Sequence, residues 1–131
     1  MEKRMKEKSN ILIIDDDETS NYVASQALKA RFGDVRVMTV SNGMEAIEFF
    51  KKHPNETPEY VLLDINMPLM NGFEFLSWYE SSVYKGTSKI MMFTTSIRKK
   101  EKDRAGMFED VVAYIEKPLS NRIINQYFTF A

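Results

Sequence analysis

Carboxylate, hydroxyl and ammonium side chains stand where short apolar runs stop: Asp15 and Asp16 after Ile11-Leu-Ile-Ile14, Asp64 after Tyr60-Val-Leu-Leu63, Thr94 after Ile90-Met-Met-Phe93, and Lys117 shortly after Val111-Val-Ala-Tyr-Ile115. Three carboxylates brought close together repel unless a cation sits among them. A hard dication such as Mg²⁺ prefers oxygen ligands and keeps several waters, so two or three carboxylates suffice to hold it. A lysine adds a fixed positive charge and a threonine a small donor. Metal, ammonium and hydroxyl together complement a phosphoryl group in transfer, whose oxygens must be neutralised. In that chemistry Asp64 is the nucleophile that takes the phosphoryl group. Singly, each residue has a plainer reading. Acids at 15–17 suit the positive end of a helix, Thr94 could simply end a strand, and Lys117 before Pro118 could be a loop lysine. Their joint occurrence at successive strand ends favours the functional reading.

The elements that must position these residues alternate. Ile11–Ile14 and Tyr60–Leu63 are continuous apolar runs, the pattern of strands covered on both faces. Val35–Val40 is β-branched and alternating, and Ser88–Phe93 and Val111–Ile115 complete five strands. Between them the spacing predicts helices over Glu18–Phe32 (capped by Asp17 or Thr19 and stopped at Gly33), Met44–Lys52, from Gly72 onward, Ile97–Phe108, and from a Ser120 cap through Phe128. The third helix carries two apolar stripes, Phe73/Leu76 and Phe75/Trp78. That pattern suggests burial on more than one side or a sticky outer face. Five β-α alternations predict an α/β fold, a five-stranded parallel sheet with helices on both faces. Right-handed crossovers with one reversal of strand order give an arrangement such as 2-1-3-4-5. The carboxyl ends of strands one, three, four and five then face one crevice, and the residues named above gather there.

A chain of 131 residues is one domain. It divides into a solvated tail at 1–9 and a folded unit at 10–131. Apolar residues make up 44% and charged residues 28%, ordinary globular composition. The net charge of −1, from 18 basic and 19 acidic side chains, lacks the basic excess of a nucleic-acid or membrane-surface binder. With no cysteine, a disulfide framework and a thiolate metal site are excluded, and a cytoplasmic setting is expected. No apolar stretch reaches the roughly 20 residues of a membrane span, and the N-terminus lacks the apolar centre of a signal peptide. His53, ahead of Pro54, reads as a surface residue, and the nine methionines read as core filler.

Taken together, Ile-Leu-Ile-Ile-Asp15-Asp16, Leu-Leu-Asp64-Ile-Asn-Met-Pro68-Leu-Met-Asn-Gly72, Met-Met-Phe-Thr94 and Tyr114-Ile-Glu-Lys117-Pro118 resemble the receiver domain of two-component response regulators. The resemblance runs from Asn10 to about Phe130 and implies a flavodoxin-like fold. It implies that Asp64 takes a phosphoryl group from a sensor histidine kinase or a phosphotransfer protein. Asp16, Asp64 and the backbone carbonyl of Asn66 would bind Mg²⁺ directly, with Asp15 acting through a water. Lys117 would pair with the carboxylate or phosphoryl oxygen, and the Lys117–Pro118 bond would be cis. Thr94 would move to the phosphoryl group and let Tyr114 turn inward, although Tyr114 could equally be plain strand packing. A downstream protein partner would read the state on the face of the fourth helix, fifth strand and fifth helix. A weak homodimer is compatible with the same face.

Departures from the family pattern accompany the match. Thr95 stands where a smaller residue is common, which predicts hindered access to Asp64 and slower turnover. Ile65 rather than an aromatic follows Asp64, leaving Trp78 as the sole tryptophan. The fourth helix is short and charged, with Met107-Phe-Glu-Asp110 ahead of the fifth strand. Two rival readings stand beside this one. Asp15-x-Asp17-x-Thr19 resembles the nucleophile motif of haloacid-dehalogenase-type phosphatases, which would make Asp15 the nucleophile. A receiver-like module that binds partners without phosphorylation is the other. No output domain is expected after Phe130, so the chain reads as a stand-alone regulator, a relay intermediate or a fragment.

Overall fold

The computed structural model describes residues 10–129; the expected tail at 1–9 lies outside them. Five strands, β1 (Asn10–Ile14), β2 (Arg36–Val40), β3 (Tyr60–Leu63), β4 (Lys89–Thr94) and β5 (Val111–Glu116), alternate with α1 (Glu18–Phe32), α2 (Gly43–Lys52), α3 (Gly72–Glu80), α4 (Lys99–Ala105) and α5 (Asn121–Tyr127). The strands form one parallel sheet in the order 2-1-3-4-5, as expected.

Because successive side chains of a strand point to opposite faces, each central strand feeds two cores. Leu12, Ile14, Val61, Leu63, Ile90 and Met92 pack with Ala46 and Phe50 of α2, with Phe73, Phe75, Leu76 and Tyr79 of α3, and with Ala105 of α4. Ile11, Ile13, Tyr60, Leu62, Met91 and Phe93 pack with Ala24 and Leu28 of α1 and with Ile124 and Phe128 at α5. The continuous apolar runs are therefore the strands buried on both faces, whereas edge strand β2 leaves Arg36, Met38 and Thr39 exposed.

Helix boundaries follow side-chain caps. Asp17, not Thr19, caps α1, accepting from Ser20 N. Asn42 caps α2 one residue earlier than the apolar pattern suggested. Asn71 and Glu74 form a reciprocal capping box on α3, and Ser120 caps α5. The two stripes of α3 merge into one broad buried face. Trp78 is half-buried within an aromatic cluster of Phe50, Phe75, Tyr79 and Tyr84. The fourth helix is shorter than its polar sequence suggested. Ser96, Ile97 and Arg98 run ahead of it, with Arg98 extended, and the residues after Ala105 turn. Methionine use is mixed: Met91 and Met92 fill the core, but Met44 and Met107 are exposed. His53 ends α2, its Nδ1 2.9 Å from the Phe49 carbonyl and its ring stacked on Phe49. No helix among the described residues is long and apolar enough to cross a membrane.

Candidate functional site

The strand ladders continue one residue past the strands and fix the residues beyond. Asp15 N donates to the Val40 carbonyl (3.0 Å), Asp64 N to that of Ile14 (3.0 Å), and Lys117 N to that of Thr94 (2.9 Å). Asp15, Asp16 and Asp64 each offer an oxygen within 4.8 Å of the others. Asp15 and Asp64 are buried and Asp16 is exposed, so the cluster has a closed floor and an open side. Thr94, at the end of β4, is buried. The peptide bond between Lys117 and Pro118 is cis, as expected, and the lysine side chain lies over the Phe93 ring.

Lys117 Nζ bonds Asp15 Oδ2 at 2.6 Å and stands 3.6 Å from Asp64 Oδ2. The ammonium is thus held first by Asp15, and Asp64 keeps the looser contact. The protonation balance agrees. Burial pushes the Asp64 carboxyl above its ordinary value and the charge of Asp15 pushes the same way. Lys117, the Ile65 N–H and the Thr94 hydroxyl lower it by less. Burial pulls Lys117 down, but its bond to Asp15 and the fields of Asp64, Asp15 and Asp17 outweigh burial and raise it. A carboxyl destabilised by a neighbouring like charge, with an oxygen-only donor set open on one side, fits a hard dication. Asn66, two residues past Asp64, is exposed.

Three contributions were not read from sequence. Asn21 is buried on α1 and its Nδ2 donates to the Asp15 carbonyl at 2.9 Å, holding the loop that carries the acids. A polar residue on the same helical face as Ala24 and Leu28 was the available signal. Gly72 does more than open α3: a Cβ there would lie 2.3 Å from the Asp64 carbonyl oxygen, so only glycine lets the helix start beneath the site. Ser96 bonds Thr94 through its N–H and Tyr114 through its carbonyl. Tyr114 packs half-buried against the core with its hydroxyl on Ser96. Thr95 is exposed and lines a groove of ≈350 Å³ with Asp17, Thr19, Val23, Phe93 and Lys117.

Residues 11–128 match the response regulator receiver domain. The chain belongs to that family. Among curated relatives, the receiver domain is 31% identical over 108 residues to the chemotaxis protein CheY of Halobacterium salinarum, covering 82% of this chain and 83% of that one. It is 29% identical over 115 residues to the sensor histidine kinase CheAY of Helicobacter pylori, covering 87% of this chain but only 14% of the kinase. A crystal structure of a two-component response regulator from Cytophaga hutchinsonii superposes with a TM-score of 0.84 at 24% identity, covering 91% of this chain and 92% of that one. The receiver domain is a signalling module of the CheY kind, and its family implies histidine kinase or phosphotransfer partners. Asp17, which the phosphatase alternative would need as its acid/base, accepts the Ser20 N–H through Oδ1 as the cap of α1.

Proposed function

We propose that Asp64 is the phosphoacceptor and takes its phosphoryl group from a phosphohistidine of a sensor kinase or phosphotransfer protein. An Asp64 carboxylate oxygen attacks phosphorus, the P–N bond breaks, and the imidazole leaves with the electron pair and gains a proton from solvent. The product is an acyl phosphate, which water returns to carboxylate and inorganic phosphate. Asp15, Asp16, Asp64 and the Asn66 carbonyl would hold Mg²⁺. Bound there, the dication neutralises charge on the phosphoryl oxygens. Lys117, already 3.6 Å from Asp64, neutralises further charge on the phosphoryl oxygens and orients the nucleophile. Thr94 supplies a hydroxyl to the new phosphoryl oxygens, and Tyr114 answers its movement. Exposed Thr95 narrows the approach and slows turnover.

The single observation that carries this reading is the meeting of three carboxylates and one ammonium, from three strand ends, around Asp64. On it the chain promotes only its own phosphorylation and dephosphorylation, works in the cytoplasm, and is read by a protein partner on the face of α4, β5 and α5. The same face would carry any weak homodimer. The deciding experiment is intact-mass analysis after acetyl phosphate and Mg²⁺. One phosphoryl adduct that disappears in Asp64→Asn but not wholly in Asp15→Asn supports the assignment. An adduct that survives Asp64→Asn sinks it. An unmodified mass with every donor would favour a module that binds partners without phosphorylation.

A further inference from the structure

The sheet has two edges, and they are finished differently. On β5 an extra residue, Val112, sits between the partners of Ile90 and Met91, an irregularity that twists an edge away from further pairing. On β2 the register with β1 is unbroken from Arg36 to Val40, and the strand carries neither proline nor lysine. Among the described residues β2 is paired on one side only. The Val40 carbonyl accepts Asp15 N and so lies on the β1 side. Backbone groups along a parallel strand address its two sides alternately. Arg36, Met38 and Val40 therefore face β1, while Val37 and Thr39 turn their N–H and C=O groups to the open edge. The next outward N–H, at Ser41, is already taken by a Glu45 carboxylate oxygen at 2.7 Å.

Along this edge lies one stripe of α1, which runs against the strand direction because it joins the end of β1 to the start of β2. Its exposed Glu18, Tyr22, Gln26 and Lys29 line a groove of ≈460 Å³ with Val37 and Thr39. The stripe opens on an acid and closes on a base. It spans about 16 Å at 1.5 Å per residue, roughly the length of five strand residues. A twofold axis through Met38 turns both patterns onto themselves. Val37 then meets Thr39 of a second copy in the exchange of N–H and C=O bonds that an antiparallel pair requires. Glu18 comes level with Lys29 of that copy, and Tyr22 with Gln26. We infer that this face pairs two copies of the chain edge to edge, β2 antiparallel to β2, in one continuous sheet. Half-exposed Met38 meets its own counterpart on the axis. The pairing goes beyond the phosphoacceptor reading and does not depend on it. Thr95 and Lys117 line a groove on the other flank of α1, with Thr19 and Val23. The α4, β5 and α5 face lies at the far edge of each copy, so any association there is separate. The two acidic clusters open at opposite ends of the joined sheet.

Sedimentation equilibrium of the full chain in low salt, from micromolar to millimolar concentration, tests this and should show a reversible approach to twice the monomer mass. Glu18→Lys and Lys29→Glu each set like charges together at both ends of the interface, and each should weaken pairing by about tenfold. The double variant Glu18→Lys/Lys29→Glu restores it, and an equimolar mixture of the two single variants pairs as a heterodimer. An effect on α1 alone gives the opposite order. Both exchanges oppose the helix dipole, so the double variant would then pair worst, and that result overturns the inference. Thr39→Pro removes an outward donor without touching the β1 ladder and abolishes pairing. Met38→Lys, which sets two ammonium groups against each other on the axis and leaves the backbone alone, does the same. A chain that stays monomeric throughout the range overturns the inference. So does a dimer that both Thr39→Pro and Met38→Lys leave intact, which would place the contact on another face.

Discussion

Replacing Lys117 by methionine keeps the length and the contact with Phe93 but deletes the charge. Asp15, 1% exposed and bonded to the ammonium at 2.6 Å, is then left beside Asp64 with no counter-charge. At an effective dielectric of about 20 the lost attractions are each roughly 5 kcal/mol gross. The desolvation that Lys117 escapes returns part of this, and breaking a buried pair from one side typically costs about 3–5 kcal/mol net. The open side of the cluster lets water and small cations reach the carboxylates, so the lower end applies, about 3 kcal/mol. For a domain of this size that is a fall in Tm of about 12 °C. The assay is thermal unfolding at neutral pH in EDTA, repeated with Mg²⁺. A dication at tenfold its Kd stabilises any competent fold by about 1.4 kcal/mol. In Lys117→Met the gain in Tm is larger than in the unaltered chain, because the metal also replaces the missing charge. A variant that melts within about 2 °C of the unaltered chain in EDTA, under 1 kcal/mol by the same conversion, would refute the claim that the ammonium holds the carboxylates in place.

Asp64→Asn should move the other way. Repulsion from Asp15 and attraction to Lys117 oppose each other and burial is the largest influence, so desolvation decides and the variant gains about 1 kcal/mol in EDTA at pH 7. The Asp64 carboxyl is raised above 3.8 on folding, so its favourable contribution is present below that value and is lost as pH rises through the folded value. The gain of Asp64→Asn, read by urea unfolding, should therefore vanish at low pH, appear across that window and reverse when Mg²⁺ is added. Gly72→Ala places a methyl against the Asp64 carbonyl. It should cost about 2 kcal/mol or more and abolish phosphoryl labelling even at temperatures where circular dichroism shows the fold intact. Phe50→Ala, which empties the centre of the aromatic cluster, should cost about 4 kcal/mol with labelling per folded molecule unchanged; a selective loss of labelling would show that the cluster reaches the site.

Strand order and site membership were legible because both depend on where apolar runs stop. Ile14, Leu63 and Phe93 are buried on their strands, and the polar residues just after them must face the carboxyl edge of a parallel sheet. What the sequence did not show depends on distances between chain segments. That Lys117 is nearer Asp15 than Asp64, that Gly72 must lie against the Asp64 backbone, and that Asn21 fastens the acidic loop all need the crossing of remote elements. The fourth helix failed for a different reason. Polar residues around Ile97 give no periodicity, and the boundary is set by Ser96, whose side chain engages Glu101.

The ladder bonds that run past the strand ends place the acidic and basic groups within the sheet's cooperative unit rather than on a loose rim. Amides of Asp15, Asp64 and Lys117 are then released to solvent hydrogen exchange only when the domain opens globally, while those of α4 exchange by fraying of one short element. The domain divides into a part that must stay shut for chemistry to occur and a part cheap enough to rearrange. A substitution that merely lowers global stability shortens the time the first part is assembled and leaves the second nearly untouched.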